Sequence, residues 1–406
     1  ETDRCKGFDI SSAPLTRCFL AKVAPDNYEF IWTFHHLILD GWSIPLVLRD
    51  FFVAYNQLST GSEPVTTLKN PRPYRDYIAW LQQQPEEKGY WQDTLRGFSN
   101  PTPLGVDLAP RDLGDKNGAV YKETSFKMST SVTEGLEAFT RQQQLTMNTL
   151  VLGAWALLLS RYCGHKDIVI GATVSGRSPD LSDANDMVGM FVNTLPVRIK
   201  IEDDSDVVGW LRRLQAQLVE ARQYEHSSLV QVHGWSDVPR GVPLFDSIVS
   251  FQNQPIAEVL RTIEFGPEVN SFVAHHTRTT YPLTLVVEPD TELKLVMIYD
   301  NRRFTDSSLE QIFEHLQTLL TALTTHCECT LSSLSIMSQV ERNSVLGQMS
   351  PIQASLAERS PCVHHLFEQQ VEKSPDSIAL VVQKQRLSYR ELNIRANQLA
   401  HYLMEQ

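Results

Sequence analysis

A chain of 406 residues exceeds what one ordinary hydrophobic core supports, so two or three domains are expected. Hydrophobic residues make up 42% and charged residues 21%, the balance of a globular protein rather than a disordered one. A net charge of −12 without any basic stripe excludes a nucleic-acid surface, which needs clustered Lys and Arg.

Taken in order, the stretch "ETDRCKGFDI" is charged, unlike a signal peptide, and reads as mid-domain. "YEFIWTF", residues 28–34, is aromatic and β-branched enough for a buried strand, and it runs straight into His35 and His36. After Gly41, Ser43 is expected to N-cap a helix with Pro45 in its first turn. Leu48, Phe51, Phe52, Tyr55 and Leu58 then recur at helical spacing. The paired histidines therefore sit on a strand–loop–helix junction. Residues 100–118 are rich in Pro, Gly and Asp and read as a connection between two halves.

In the second half the pattern predicts helices near 131–143 and 146–162, strands at 167–174 and 191–201, and a helix near 206–223. Strands at 283–288 and 292–299 flank Pro289-Asp290, a hairpin signal, and a helix near 306–325 follows. Residues 328–361 have linker composition. An amphipathic helix then starts near Val363, and "DSIALVVQKQRLSYRELNIRANQLAHYL" reads strand, turn, strand, helix.

The longest apolar run, "LVLGAWALLL", stops at Leu159. It falls short of the about 20 residues a membrane span needs, so a buried helix and no membrane association are expected. The six cysteines include no CxxC pair, and a reducing cytoplasm is the expected setting. Neither "GWS" nor "VSGRS" matches the GxSxG elbow, and phosphate-binding GxxxxGK[ST] and GxGxxG loops are absent. "DDSD" at 203–206 fails as a calcium loop because the required Glu position holds Leu214.

Three histidine pairs occur, His35-His36, His275-His276 and His364-His365, and only the first is followed by three residues and Asp-Gly. A metal reading leaves His36 and Asp40 short of the three or four convergent ligands zinc requires. A histidine at a strand end can instead face a cleft and accept a proton. Asp40 needs a cation, and Arg177, at the end of the second half's strand, is the candidate. That pair would tie the two halves together, and breaking it when buried costs about 3–5 kcal/mol.

His35-His36-Leu37-Ile38-Leu39-Asp40-Gly41 resembles the HHxxxDG signature of condensation domains from nonribosomal peptide synthetases. Further matches follow in that family's order: "PYRDYIAWLQ" (73–82), "IGATVSGR" (170–177), "VGMFVNTLPVR" (188–198), "YEHSSL" (224–229) and "VPLFDSIVSFQN" (242–253). The resemblance covers residues 1–327. After it, "VHHLFEQQVEKSPDSIALV" and "LSYREL" are similar to the opening of an adenylation domain.

The resemblance implies an α/β fold of two chloramphenicol-acetyltransferase-like lobes in a V-shaped pseudo-dimer, with a tunnel between them. It implies the remainder of the first lobe at 1–112, incomplete at its N-terminus and so poorly soluble in isolation, and the second lobe at 113–327. A linker at 328–361 and a truncated adenylation start at 362–406 would follow. His36 would be the base or positioning group, His35 its loop support, and Gly41 the source of backbone room. Asp40 and Arg177 would form a structural salt bridge, and Ser43 and Asn253 would line the tunnel. Upstream and downstream carrier domains would deliver substrates on phosphopantetheine arms, with an adenylation domain in cis and no cofactor or metal bound by this chain.

"HHLILDGWSIPLVLRDFF" and "HGWSDVPRGVPLFDS" resemble the branch whose donor ends in a D-residue. Three other readings stand beside peptide-bond formation: a non-catalytic recruiting platform of the same fold, an epimerisation-type domain, and an acyltransferase using a soluble thioester.

Overall fold

Stretches of the second half rich in apolar residues become strands with buried side chains on both faces, the arrangement of a sheet covered on each side. In the computed structural model, the described residues are 3, 6–61, 70–107, 121–252, 279–325, 328–349, 363–382 and 385–405. The chain divides into two units, Glu1–Ser338 and Gln339–Gln406.

The first unit opens with strands β1 (Thr16–Ala24) and β2 (Asn27–Phe34), an antiparallel pair. Helices α1 (Ser43–Ser59), α2 (Tyr74–Leu81) and α3 (Lys88–Leu95) follow. Next come β3 (Tyr121–Lys127), α4 (Thr130–Gln143), α5 (Met147–Cys163), β4 (Asp167–Val174) and β5 (Asn193–Lys200). Helices α6 (Val207–Ala221) and α7 (Leu229–Trp235) lead to β6 (Ser247–Phe251), β7 (Leu283–Glu288) and β8 (Lys294–Asp300), and α8 (Asp306–Thr325) follows.

Six of these strands form one mixed sheet in the order β3-β8-β7-β6-β4-β5. Strand β6 runs parallel to β4 and β7, and the remaining neighbours are antiparallel. In β4, Ile168 and Ile170 enter the core built by α4, α5, α6 and α8, whereas Val169 enters the smaller core of Trp91, Leu95, Val232 and Phe245. Helix α5 is buried from Thr149 to Ser160, as its unbroken apolar run requires. Thr146 caps it, its Oγ1 accepting the Thr149 N–H at 3.1 Å.

The N-terminal part is different. Phe19, Leu20, Tyr28 and Phe30 of the two-stranded sheet and Phe51, Tyr55 and Leu58 of α1 are exposed, although their pattern is that of a core. Two strands with one helix present apolar surface that they cannot themselves cover.

Two expectations are corrected. Ser43 does not N-cap α1: the helix starts at Ser43 itself, and the Asp40 carboxylate accepts its N–H at 2.8 Å, taking the capping role. Within the stretch 328–361, whose composition reads as a linker, residues 328–349 are ordered chain. Thr330 bridges to Asp206, Leu331 and Leu334 are buried in the main core, and Gln339–Met349 is helix α9. Two isolated leucines in a Ser-rich stretch are too sparse to show periodicity, yet both enter the main core.

The second unit contains α9, α10 (Val363–Lys373), the antiparallel pair β9 (Ile378–Val382) and β10 (Gln385–Ser388), and α11 (Tyr389–Met404). Ser388 and Glu391 form a reciprocal capping box at the start of α11. None of the described residues of α10, β9, β10 or α11 is buried.

Candidate active site

Strand β2 ends at Phe34, and the chain turns at once because the His35 N–H donates to Leu15 O at 2.9 Å, the last bond next to the β1 ladder. His35 folds back on its own loop, Nδ1 accepting the Leu37 N–H at 3.1 Å, and its ring meets Phe8 edge-on. His36 is half-buried, and its Nδ1 is buried with no hydrogen-bond partner among the described residues. Gly41 lies in the turn between Asp40 and α1.

Asp40 is fully buried, and its carboxylate is spent on holding the loop. Oδ1 accepts the Ser43 N–H at 2.8 Å and the Ser43 hydroxyl at 2.7 Å. Oδ2 accepts the Phe191 N–H at 3.1 Å, and Arg177 Nη2 donates to Oδ1 at 3.1 Å. The Asp40 N–H itself donates to Gly189 O at 3.1 Å. The carboxylate's bonds thus go to Ser43, Phe191 and Arg177 rather than to His36.

Arg177 is as deeply placed, its side chain 4% exposed. Its Nη1 donates to the carbonyls of Met187, at 2.8 Å, and Ala184, and its guanidinium lies 4.2 Å over the Phe191 ring. A planar group with several donors can grip carboxylate, carbonyls and an aromatic face together, which a lysine cannot. Its Nε is buried without a partner among the described residues.

Sequence reasoning missed the other half of this bridge. Ser43 is fully buried, and its Oγ also meets Arg177 Nη2 and the Gly189 N–H, each at 3.1 Å. The expectation that Ser43 faces a tunnel is therefore corrected: all its hydrogen-bonding capacity is taken within the protein. Gly189 is held so close to Tyr74 that an added Cβ would stand 2.1 Å from a ring carbon. Gly176, with φ of +65°, leaves no room either, since a Cβ there would come within 1.9 Å of Phe191 O. The glycines of "VSGR" and "VGMF" were visible as letters, but their partners lie in another part of the chain.

Around the bridge, Tyr74, Tyr77, Trp80 and Phe191 pack ring on ring. The Tyr74 hydroxyl donates to Met190 O at 2.5 Å. Burial first, then the charges of Tyr74 and Asp40, pushes the Tyr77 hydroxyl up to about 12. Asn253 and His275-His276 lie outside the described residues. No cluster of three or more His, Cys, Asp or Glu that could hold a metal occurs among the described residues, and none of their helices is long and apolar enough to cross a membrane. Of the "DDSD" aspartates, Asp206 caps α6 through the Gly209 N–H and Asp203 pairs with Lys166.

A family model described as "Condensation domain" matches residues 1–346. The chain belongs to that family, the condensation domains of nonribosomal peptide synthetases. It is 43% identical over 408 residues to one of the linear gramicidin synthase proteins of Brevibacillus parabrevis, a match covering 100% of this chain and 8% of that protein. It is 33% identical over 413 residues to bacitracin synthase 3 of Bacillus licheniformis, covering 100% of this chain and 6% of that protein. The chain thus spans less than a tenth of the length of these curated relatives.

A four-domain nonribosomal peptide synthetase bound to AMP and glycine has a similar structure, with a TM-score of 0.70, 20% identity, and coverage of 98% of this chain and 31% of that one. So has the X-domain from teicoplanin biosynthesis, with a TM-score of 0.66, 20% identity, and coverage of 81% and 76%. The fold is the chloramphenicol-acetyltransferase-like α/β fold shared by these domains.

Proposed function

We propose that this chain forms a peptide bond between two acyl groups presented as carrier-bound thioesters. The observation that carries this reading is the contrast between His36 and its neighbours: the loop is locked by Asp40, Ser43 and Arg177, while His36 Nδ1 is bonded to none of the described residues. A rigid mount beneath an imidazole with one ring nitrogen left without a partner among the described residues suits a group that meets substrate.

In the proposed reaction the acceptor's α-amine, with an ordinary pKa of about 8, attacks the donor's thioester carbonyl carbon. The C–N bond forms, the C–S bond breaks, and the ammonium proton must leave. His36 takes that proton and returns it to the departing thiolate, or holds the charged tetrahedral centre through the same contact. General-base help of this kind is worth about 10²–10⁴ in rate. His35 supports the loop, and Gly41 leaves backbone room beside it. This chain holds no cofactor in the reaction; phosphopantetheine arms reach it from carrier domains, in a cytoplasmic assembly.

The donor is proposed to end in a D-residue, and residues 362–406 to open an adenylation domain in cis.

Dipeptidyl transfer by the multidomain synthetase, with the acceptor carrier read by intact mass, tests the reading. Donor carriers are loaded separately with D- and L-aminoacyl groups, and parent is compared with His36→Ala. Product from the D-donor alone, lost in the variant, is expected. Product from the L-donor alone overturns the stereochemical subtype, and no product from either favours a recruiting platform.

A further inference from the structure

Glu225, in the "YEHSSL" segment, is a half-buried carboxylate that the proposed reaction does not use. It sits directly behind the bridge. Its Oε2 accepts the Gly176 N–H at 3.2 Å and the Ser175 hydroxyl at 3.3 Å, and the next residue is Arg177. The Ser175 hydroxyl in turn lies 3.4 Å from the Arg177 N–H. The segment that carries Glu225 is itself clamped, because Asn193 Nδ2 donates to Glu225 O at 2.9 Å and to Ser227 O at 2.7 Å.

The turn that Glu225 grips cannot drift freely. Gly176 stands against Phe191 O, and the Phe191 N–H is bonded to Asp40. A contact made at Gly176 is therefore passed to both ends of the Arg177–Asp40 pair.

We propose that Glu225 is a positioning residue for the reaction, holding the Ser175–Gly176 turn so that Arg177 meets Asp40 and the His36 loop keeps its place. This rests on the reading that His36 meets substrate.

The charges around Glu225 make the position informative. Tyr77 of α2 faces both Glu225 and Asp40. Arg222, on the short 3-10 turn Arg222–Tyr224, attracts Glu225 from an exposed position, whereas the buried Arg177 is committed to Asp40. Burial outweighs the Gly176 and Ser175 bonds and the pull of Arg222, so the Glu225 carboxyl is raised above its ordinary 4.5. The sign follows: the fold favours the protonated carboxyl. The cost of ionising Glu225 is absent below 4.5, grows as pH rises, and is complete above the raised value. A carboxylate kept at the expense of stability beside a reactive loop fits a functional constraint better than a structural one.

Glu225→Gln in the multidomain synthetase separates the two, because glutamine keeps the shape and an acceptor oxygen but stays neutral. In mildly alkaline buffer the variant is expected to resist denaturant at least as well as the parent. Its kcat for transfer should fall about ten- to a hundredfold with little change in KM. The parent-to-variant rate ratio should fall toward one as pH drops through the Glu225 range, since the amide mimics the protonated acid. His36→Ala, run alongside, reports whether the assay reads the proposed chemistry. Product in the parent with equal rates in Glu225→Gln at every pH overturns the Glu225 assignment alone, as does a loss of activity in step with lost stability. No product in the parent overturns the proposed function and the Glu225 role with it.

Discussion

Arg177 Nη2 lies 3.1 Å from Asp40 Oδ1 across 137 positions of chain, and both side chains are almost completely shut off from solvent. Removing one partner of such a pair leaves the other charge buried and alone. Arg177→Ala is therefore expected to lower unfolding stability by about 3–5 kcal/mol, read from denaturant melts. It should change the chemical step less than it changes stability. A variant as stable as the parent yet inactive would reverse the structural assignment.

His36→Ala should behave in the opposite way. The ring is half-buried and its Nδ1 bonds to no described residue, so little of the fold depends on it. Melting behaviour close to the parent is expected, with transfer reduced by a factor of about 10² or more. Retained turnover would end the base or positioning role.

The two glycines of the bridge make a paired experiment. Gly189→Ala meets the Tyr74 ring, and Gly176→Ala meets the Phe191 backbone from a left-handed conformation. Each should cost about 1–3 kcal/mol or more. Adding Tyr74→Ala should recover part of the Gly189→Ala loss, because it frees the space beside the glycine, but nothing of the Gly176→Ala loss. Double-mutant melts that show equal coupling for both glycines would contradict this packing.

Leu331, outside every recognisable periodicity, is fully buried, whereas Val345 in α9 is 43% exposed. Leu331→Ala should destabilise the first unit by about 2–5 kcal/mol. Val345→Ala should stay within about 0.5 kcal/mol. Equal, small effects in denaturant melts would return residues 330–334 to the status of a linker.

Asp300 supplies a pH test with the sign opposite to that of Glu225. The Arg302 side chain first, then the Arg302 N–H, holds its carboxyl below the ordinary 3.8. Its contribution is complete above 3.8 and is lost as pH falls through the folded value. Asp300→Asn should be less stable than the parent at neutral pH, with the gap closing only in strong acid. A gap that closed already around neutrality would contradict the ion pair.

Much of the second half was legible because its elements carry continuous apolar runs or helical phasing of their own. Strand β4 spans Asp167–Val174 and α8 spans Asp306–Thr325, the bounds that continuous apolar runs and helical phasing indicate. The first unit's quieter elements were not. Strand β3, "YKETSFK", is mostly polar and is strand because it pairs with β8 along its length. Strand β1 likewise exists only as the partner of β2.

For the site, the sequence by itself determined the chemistry available: two histidines at a strand end, an aspartate and glycine beyond them, and an arginine after a distant strand. What each group does with its bonds was decided by tertiary structure alone. Ser43 and Gly189 are 146 residues apart, and neither shows in a linear pattern that it completes the same buried bridge. Local propensity acts over a few residues, whereas a buried charge is satisfied by whatever donors folding brings within about 3 Å. Here those donors come from both halves of the unit, and they leave His36 Nδ1 as the buried imidazole nitrogen of the pair that no described residue bonds.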